Sequence, residues 1–221
     1  MDLSKCQEIF DPIKIDEDEV IIIGCGAIGS TVAVMLTRMG VTHFTLYDMD
    51  EVNAHNLANQ NYYYCEVGKL KTLCTAEHIS AINPDVRVKC KGEYTNQRLS
   101  GYVFLCVDNI DTRRSICDAN INNDNIKYVF DFRMGLFNAQ TYAANWKDEQ
   151  SKLKIIDSMM FSHDEAKENT PVSPCGTTLN VITTVNAVVA AGCNQFIKAV
   201  NKQETKHLIV VDLYNNSLLT L

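Results

Sequence analysis

Short, continuously apolar runs alternate along this chain with longer stretches in which apolar residues recur every three or four positions. Val20 to Gly24 is such a run and predicts a buried parallel strand; Ala27 to Met39 has helical spacing and is ended by Gly40. His43 to Tyr47 predicts the next strand, and Leu70 to Ile82 a helix that stops before Asn83-Pro84. Val86 to Cys90 and Tyr102 to Cys106 predict further strands, Ile110 to Asn120 a helix and Tyr128 to Phe132 a strand. Strands of this kind, alternating with helices, predict an α/β fold: a doubly wound, mainly parallel, Rossmann-like sheet covered on both faces.

From Phe137 the pattern changes. Gln140 to Ala144 predicts a strand, Lys152 to Ser173 is polar and poorly periodic, and Thr178 to Ala199 predicts a long helix. Leu208 to Leu213 and Ser217 to Leu221 predict a closing pair of strands around an Asn215-Asn216 turn. The fold thus gains additional C-terminal strands and a long helix. Residues 1–19 read as a polar leader and 150–175 as a mobile loop. One domain spanning 1–221 is expected, since no repeat or low-complexity tract interrupts it.

Composition narrows the function classes. At 221 residues, 46% hydrophobic and 21% charged, the chain has the profile of a compact domain that buries roughly 70% of its unfolded surface. A net charge of −7 with no basic run argues against a broad nucleic-acid footprint. Nine cysteines occur singly with no Cys-x-x-Cys pair, which argues against a zinc ribbon and a disulfide framework. Cys25, Cys106 and Cys117 fall in strand or helix patterns and are expected to be packing residues. The apolar stretch from Thr178 to Val200 carries Asn180, Asn186, Asn194 and Gln195, so it predicts a buried or interface helix rather than a membrane span. No basic segment followed by an apolar run opens the chain, and cytoplasmic residence is expected.

The candidate chemistry begins at Gly24-x-Gly26-x-x-Gly29, between the first predicted strand and helix, with Asp48 about 19 residues further on. Gly24 permits a tight turn, Gly26 lets the backbone approach a phosphate, and Gly29 lets helix and strand pack closely. Backbone N–H groups of Ala27, Ile28 and Gly29 at the helix N-terminus would face an anion. The same glycines serve NAD, FAD, S-adenosylmethionine and ATP proteins, so the ligand is open at this point.

Residues further along carry a resemblance. Tyr47-Asp-Met-Asp-Glu-Val-Asn-Ala-His-Asn-Leu-Ala-Asn-Gln60, Val67-Gly68-Lys69-Leu70-Lys71, Ile82-Asn83-Pro84 and Cys106-Val107-Asp108-Asn109 with Arg113 follow in order. Together they resemble the adenylyltransferases of the ubiquitin-activating superfamily, the group of ThiF, MoeB and HesA. The resemblance covers roughly residues 20 to 145 well and the last third more loosely. It implies that ATP, with Mg²⁺, occupies the glycine loop. It also implies a homodimeric enzyme that adenylates the C-terminal carboxylate of a small ubiquitin-like or sulfur-carrier protein, or of a peptide, ending in Gly.

Each candidate residue has a functional and a plain reading. Asp48 could accept hydrogen bonds from ribose hydroxyls or cap the loop that follows it. Asp50 could assist a metal or shape the turn. Asn56 matches an amide that contacts phosphates in the resembling proteins, or caps its own loop. Asn59 stands where the pattern has an Arg and brings no charge. Lys71 is the strongest candidate for a phosphate-contacting cation; otherwise it is an exposed helical Lys. Asp108, at a strand's carboxyl end, suits Mg²⁺ or caps the helix near Ile110, although Asn109 could cap instead. Arg113 is expected to pair with a carboxylate. Arg133 could line a substrate channel or pair with Asp131, and His55 could contact phosphate but reads as a loop residue. Cys175, in Pro174-Cys175-Gly176 before the long helix, could accept the activated acyl group as a thioester or be a plain thiol. Lys71, Asp108 and Cys175 are the candidate catalytic residues. Two alternatives remain at this level: a catalytically weak partner subunit of an activating complex, favoured by Asn59, and an NAD-dependent oxidoreductase, for which no Tyr-x-x-x-Lys pair is present.

Overall fold

In the computed structural model, residues 1–168 and 181–221 are described, with the backbone alone at 167 and 168. Eight strands form one sheet: β1 (Val20–Ile23), β2 (His43–Tyr47), β3 (Arg87–Lys91), β4 (Gly101–Leu105), β5 (Ile126–Met134), β6 (Asn138–Asn145), β7 (Leu208–Asp212) and β8 (Ser217–Thr220). The spatial order is β3-β2-β1-β4-β5-β6-β7-β8. The first five strands pair in parallel, and β5 to β8 pair antiparallel. Parallel strands need crossovers, and the helices α1 (Ala27–Arg38), α2 (Lys71–Ile82) and α3 (Ile110–Ala119) supply three of them. The chain leaves β1 toward β2 on one side and returns to β4 on the other, so the topological switch lies between β1 and β4.

Strand β1 is buried on both faces, which is why it is apolar at every position. Val20 and Ile22 join one core cluster with Val32 and Leu36 of α1 and Val185, Val189 and Phe196 of α6 (Ile182–Val200). Ile21 and Ile23 join the other, with Ile110 and Ile116 of α3 and Ile155 of α4 (Glu149–Asp157). Each such side chain fully removed from water contributes about 1.5–3 kcal/mol.

At three places the structure adds to or departs from the sequence pattern, each for a physical cause. Residues 150–175, expected to be a loop, open with α4 and with α5 (His163–Glu168); residues 169–180 lie outside those described. The periodicity of α4 is hidden because a charged residue takes a core-facing position. Lys152 is buried, and its Nζ donates to the Ile121 carbonyl at 3.0 Å and to Glu149 Oε1 at 2.7 Å. The polar leader is also anchored: Phe10 packs against Phe196 at 5.7 Å between ring centroids, and Ile15 is buried. Finally, of the two readings open for the long helix, buried or interface, its apolar face takes the first and packs within the chain, leaving Asn186, Ala190 and Asn194 exposed. No helix among the described residues is long and apolar enough to cross a membrane.

Candidate functional site

At the switch point the glycine turn is shaped by contacts with backbone. Gly24 has φ +95°, and a Cβ there would lie 2.8 Å from the Cys106 carbonyl at the end of β4. A Cβ on Gly29 would come within 1.8 Å of the Gly24 carbonyl oxygen, so α1 sits on β1 as only glycine allows. Gly26 is different: nothing lies within 4 Å of where its Cβ would be. The N-terminus of α1 has no side-chain cap and no acidic residue in its first turn. The first N–H groups of α1 are thus left without a side-chain cap, beside a Gly26 backbone that a ligand can approach closely, which fits a phosphate group.

The carboxyl end of β2 supplies the second wall. Asp48 accepts from the Cys25 N–H at 2.7 Å through Oδ2 and from the Asp50 N–H at 2.8 Å through Oδ1. Burial pushes its carboxyl above the usual carboxylate value, against the pull of those two N–H groups and of Lys71. Asp48 thus braces the glycine turn from inside, and each oxygen keeps a second lone pair for an outside donor.

Residues 50–71 fold over the start of α1. Asn56 is buried in a short 3₁₀ turn (Ala54–Ala58), with Oδ1 accepting from the Asn53 N–H at 2.8 Å. Asn59 follows at the C-cap of that turn. Asn61 reaches α1, its Nδ2 donating to Thr31 Oγ1 at 2.7 Å and its N–H to Ser30 Oγ at 3.2 Å. The Tyr62 hydroxyl donates to the Cys25 carbonyl at 2.5 Å and lies 3.1 Å from Thr75 Oγ1, joining the glycine turn to α2. Burial pushes its phenol well above the ordinary value. Lys71 begins α2; it is buried rather than exposed, and its Nζ lies 2.8 Å from Asp50 Oδ2.

The third wall is the carboxyl end of β4. Asn109 caps α3 by accepting from the Thr112 N–H at 3.0 Å, so Asp108 is relieved of that role. Asp108 is exposed and has no hydrogen-bond partner among the described residues. Because the Gly24 turn abuts Cys106 and Val107, Asp108 follows directly on the residues that touch the cradle. An exposed carboxylate beside a phosphate-accepting helix terminus fits Mg²⁺, which binds through one or two carboxylates and the phosphates themselves.

Beneath this turn Arg113 is buried and pairs with Asp131 of β5, also donating to the carbonyls of Leu105 and Val107. Arg133 takes the other oxygen of Asp131 at 2.7 Å, lies 4.2 Å over the Tyr142 ring, and donates to the carbonyl and hydroxyl of Ser158, each at 2.8 Å. Sequence reasoning placed both arginines but missed that Asp131, fully buried in an apolar strand, is their common centre. Its signal was a carboxylate in the middle of Tyr128 to Phe132 that no apolar strand needs. Tyr62 and Asn61 were missed as well, since aromatic and amide residues in a loop carry no periodic signal.

Cys175 lies outside the described residues. Cys25, Cys106, Cys117 and Cys193 are buried, and burial pushes each thiol up. His55 is exposed. The glycine turn, Asp48, Lys71 and Asp108 thus surround the carboxyl ends of β1, β2 and β4, the crevice in which doubly wound sheets bind nucleotides.

Fold and glycine turn together define a protein of the doubly wound, nucleotide-binding class. Residues 11–220 match the ThiF family, and the chain belongs to that family. It is 34% identical over 119 residues to ubiquitin-like modifier-activating enzyme 5 of Dictyostelium discoideum, covering 45% of this chain and 31% of that protein. It is 30% identical over 113 residues to tRNA threonylcarbamoyladenosine dehydratase of Haemophilus influenzae, covering 47% and 43%. Among solved structures, E. coli MccB with ATP matches with a TM-score of 0.70 at 17% identity, covering 95% of this chain and 65% of that one. MccB in complex with N-formylated MccA matches with a TM-score of 0.71 at 17% identity, covering 95% and 66%. The chain spans less than half the length of those two curated relatives and about two thirds of the solved one.

Proposed function

We propose that this chain is an ATP-dependent adenylyltransferase acting in the cytoplasm on the C-terminal carboxylate of a peptide or small ubiquitin-like protein. The observation that carries the reading is the open backbone at Gly26 beside the uncapped start of α1, with Asp108 exposed at the neighbouring strand end. Membership of the ThiF family supports it, as does the likeness in fold to a protein solved with ATP.

In the proposed reaction a substrate carboxylate oxygen forms a bond to the α-phosphorus of ATP. The bond from that phosphorus to the oxygen bridging the β-phosphate breaks, and pyrophosphate leaves with the electron pair. Gly26 and the first N–H groups of α1 bind and orient the phosphates. Asp48 orients the ribose, and Asn56, whose Oδ1 is held by the Asn53 N–H, has its amide nitrogen for a phosphate oxygen. Lys71 neutralises phosphate charge once it leaves Asp50. Mg²⁺ held by Asp108 would offset charge on the phosphates and the leaving pyrophosphate. Transfer of the acyl group to Cys175 as a thioester, and a homodimeric assembly, belong to the same reading.

A second reading, a partner subunit that supports another activating subunit, is favoured by the local cations. Asn59 is neutral, Lys71 is matched by Asp50, and Arg113 and Arg133 share Asp131. Pyrophosphate exchange by the purified chain, supplied with peptides and β-grasp proteins ending in Gly, separates the two. Exchange without any other subunit supports the enzyme; exchange only on adding a second activating subunit supports the partner role. Light scattering measures the assembly.

A further inference from the structure

Asp108 has an exposed side chain, yet its backbone is held on both sides. Asn109 caps α3 immediately after it. Immediately before it, the Val107 carbonyl accepts from Arg113 Nη2, and the Leu105 carbonyl accepts from Nη1 at 3.2 Å. One guanidinium thus spans the last residue of β4 and the residue that leads into Asp108. A planar fork grips two carbonyls in a fixed geometry only if the fork itself cannot rotate. What stops it is Asp131, whose Oδ1 takes Nη1 and whose carboxylate is fully buried in β5, the strand paired directly with β4. The orientation of Asp131 toward Arg113 is set by its own place in β5, opposite Leu105 of β4, and Arg133 takes the remaining oxygen from outside that contact.

From these contacts we propose that Asp131 is a positioning residue for the metal-facing carboxylate. Through Arg113 it fixes the backbone that aims Asp108 at the nucleotide phosphates. The proposal rests on the reading of Asp108 given above. Asp131 touches neither nucleotide nor metal; it acts on Asp108 at one remove, as outer-sphere groups do when they orient a metal ligand. Arg133 forms a separate arm toward Ser158 and is not on the path from Asp131 to Asp108.

The test is Mn²⁺ binding by electron paramagnetic resonance, using the full chain with the α,β-methylene analogue of ATP, together with affinity for that analogue in EDTA. Asp131→Asn is expected to weaken Mn²⁺ binding by about tenfold or more, the range for groups that orient a ligand. Affinity for the metal-free analogue should stay near the wild-type value, a split that a general loss of structure does not produce. Arg133→Gln is expected to bind Mn²⁺ as the wild type does. If Asp131→Asn does not fold, Arg113→Lys takes its place: it keeps a charge opposite Asp131 but cannot span both carbonyls, and the same Mn²⁺ loss is expected. Wild-type Mn²⁺ affinity in a folded Asp131→Asn or Arg113→Lys protein overturns the proposal. If Asp108→Asn still shows the loss, only the positioning role has failed. Wild-type affinity in Asp108→Asn overturns the metal assignment as well.

Discussion

Lys71 Nζ lies 2.8 Å from Asp50 Oδ2, and the Lys71 N–H donates to the Asp50 carbonyl at 2.9 Å, so the candidate phosphate cation is held twice by one residue. Lys71 is buried while Asp50 is largely exposed. Solvent screening keeps such a pair to about 1 kcal/mol or less. Asp50 competes with phosphate for the same ammonium group. Asp50→Asn is expected to tighten metal-free ATP binding by up to about fivefold, the equivalent of that energy. Lys71→Met is expected to weaken it. Calorimetry in EDTA reads both, and weaker binding by Asp50→Asn would mean that Asp50 serves the nucleotide directly.

The last two glycines of the turn, Gly26 and Gly29, should separate folding from binding. Gly29→Ala puts a methyl group where the Gly24 carbonyl already stands, and no flexible side chain is available to yield. It is expected to lower stability by more than about 3 kcal/mol, in the range reserved for steric conflict with backbone. Gly26→Ala meets nothing and is expected to change stability by under about 1 kcal/mol while weakening ATP binding, because the methyl group fills the space the phosphate needs. Denaturant unfolding and calorimetry on the two variants test the contrast. Undiminished ATP binding by Gly26→Ala would contradict it.

The pH dependence of binding follows from Asp48. Burial raises its folded value, so on acidification it takes up a proton at a higher pH than an ordinary Asp, whose value is about 3.9. A neutral carboxyl accepts from ribose hydroxyls more weakly. AMP affinity is therefore expected to fall on acidification with a midpoint above that ordinary value. The contribution of Asp48 to stability runs the other way. Its folded form holds more protons than the unfolded chain in that window, so stability falls as pH rises through it. Calorimetry with AMP on the wild type and Asp48→Asn separates Asp48 from the titration of the AMP phosphate at about pH 6: the acid loss should be steeper in the wild type, and identical profiles in the two proteins contradict the ribose role.

Much of the fold was legible because its parallel strands are buried on both faces and therefore apolar throughout, as in Val20 to Ile23. The glycine turn was legible because backbone contacts leave Gly24 and Gly29 no alternative. Helix α4 escaped because Lys152 buries its stem at a core-facing position while its ammonium group reaches Ile121 and Glu149. For the apolar face of α6 the sequence leaves burial and an interface both open, because it does not say whether a partner face lies within the chain or beyond it. Asp131 could be seen only as one member of a pair. Its joining of Arg113 to Arg133 depends on β5 lying beside β4, a relationship between strands more than twenty residues apart in sequence.

Calorimetry of ATP and of NAD, with and without Mg²⁺, on the wild-type chain and on Asp108→Ala tests the nucleotide site most directly. The expected result is ATP binding that Mg²⁺ strengthens in the wild type but not in Asp108→Ala, with NAD binding far more weakly than ATP. NAD binding tighter than ATP, or an Mg²⁺ effect unchanged in Asp108→Ala, would contradict it.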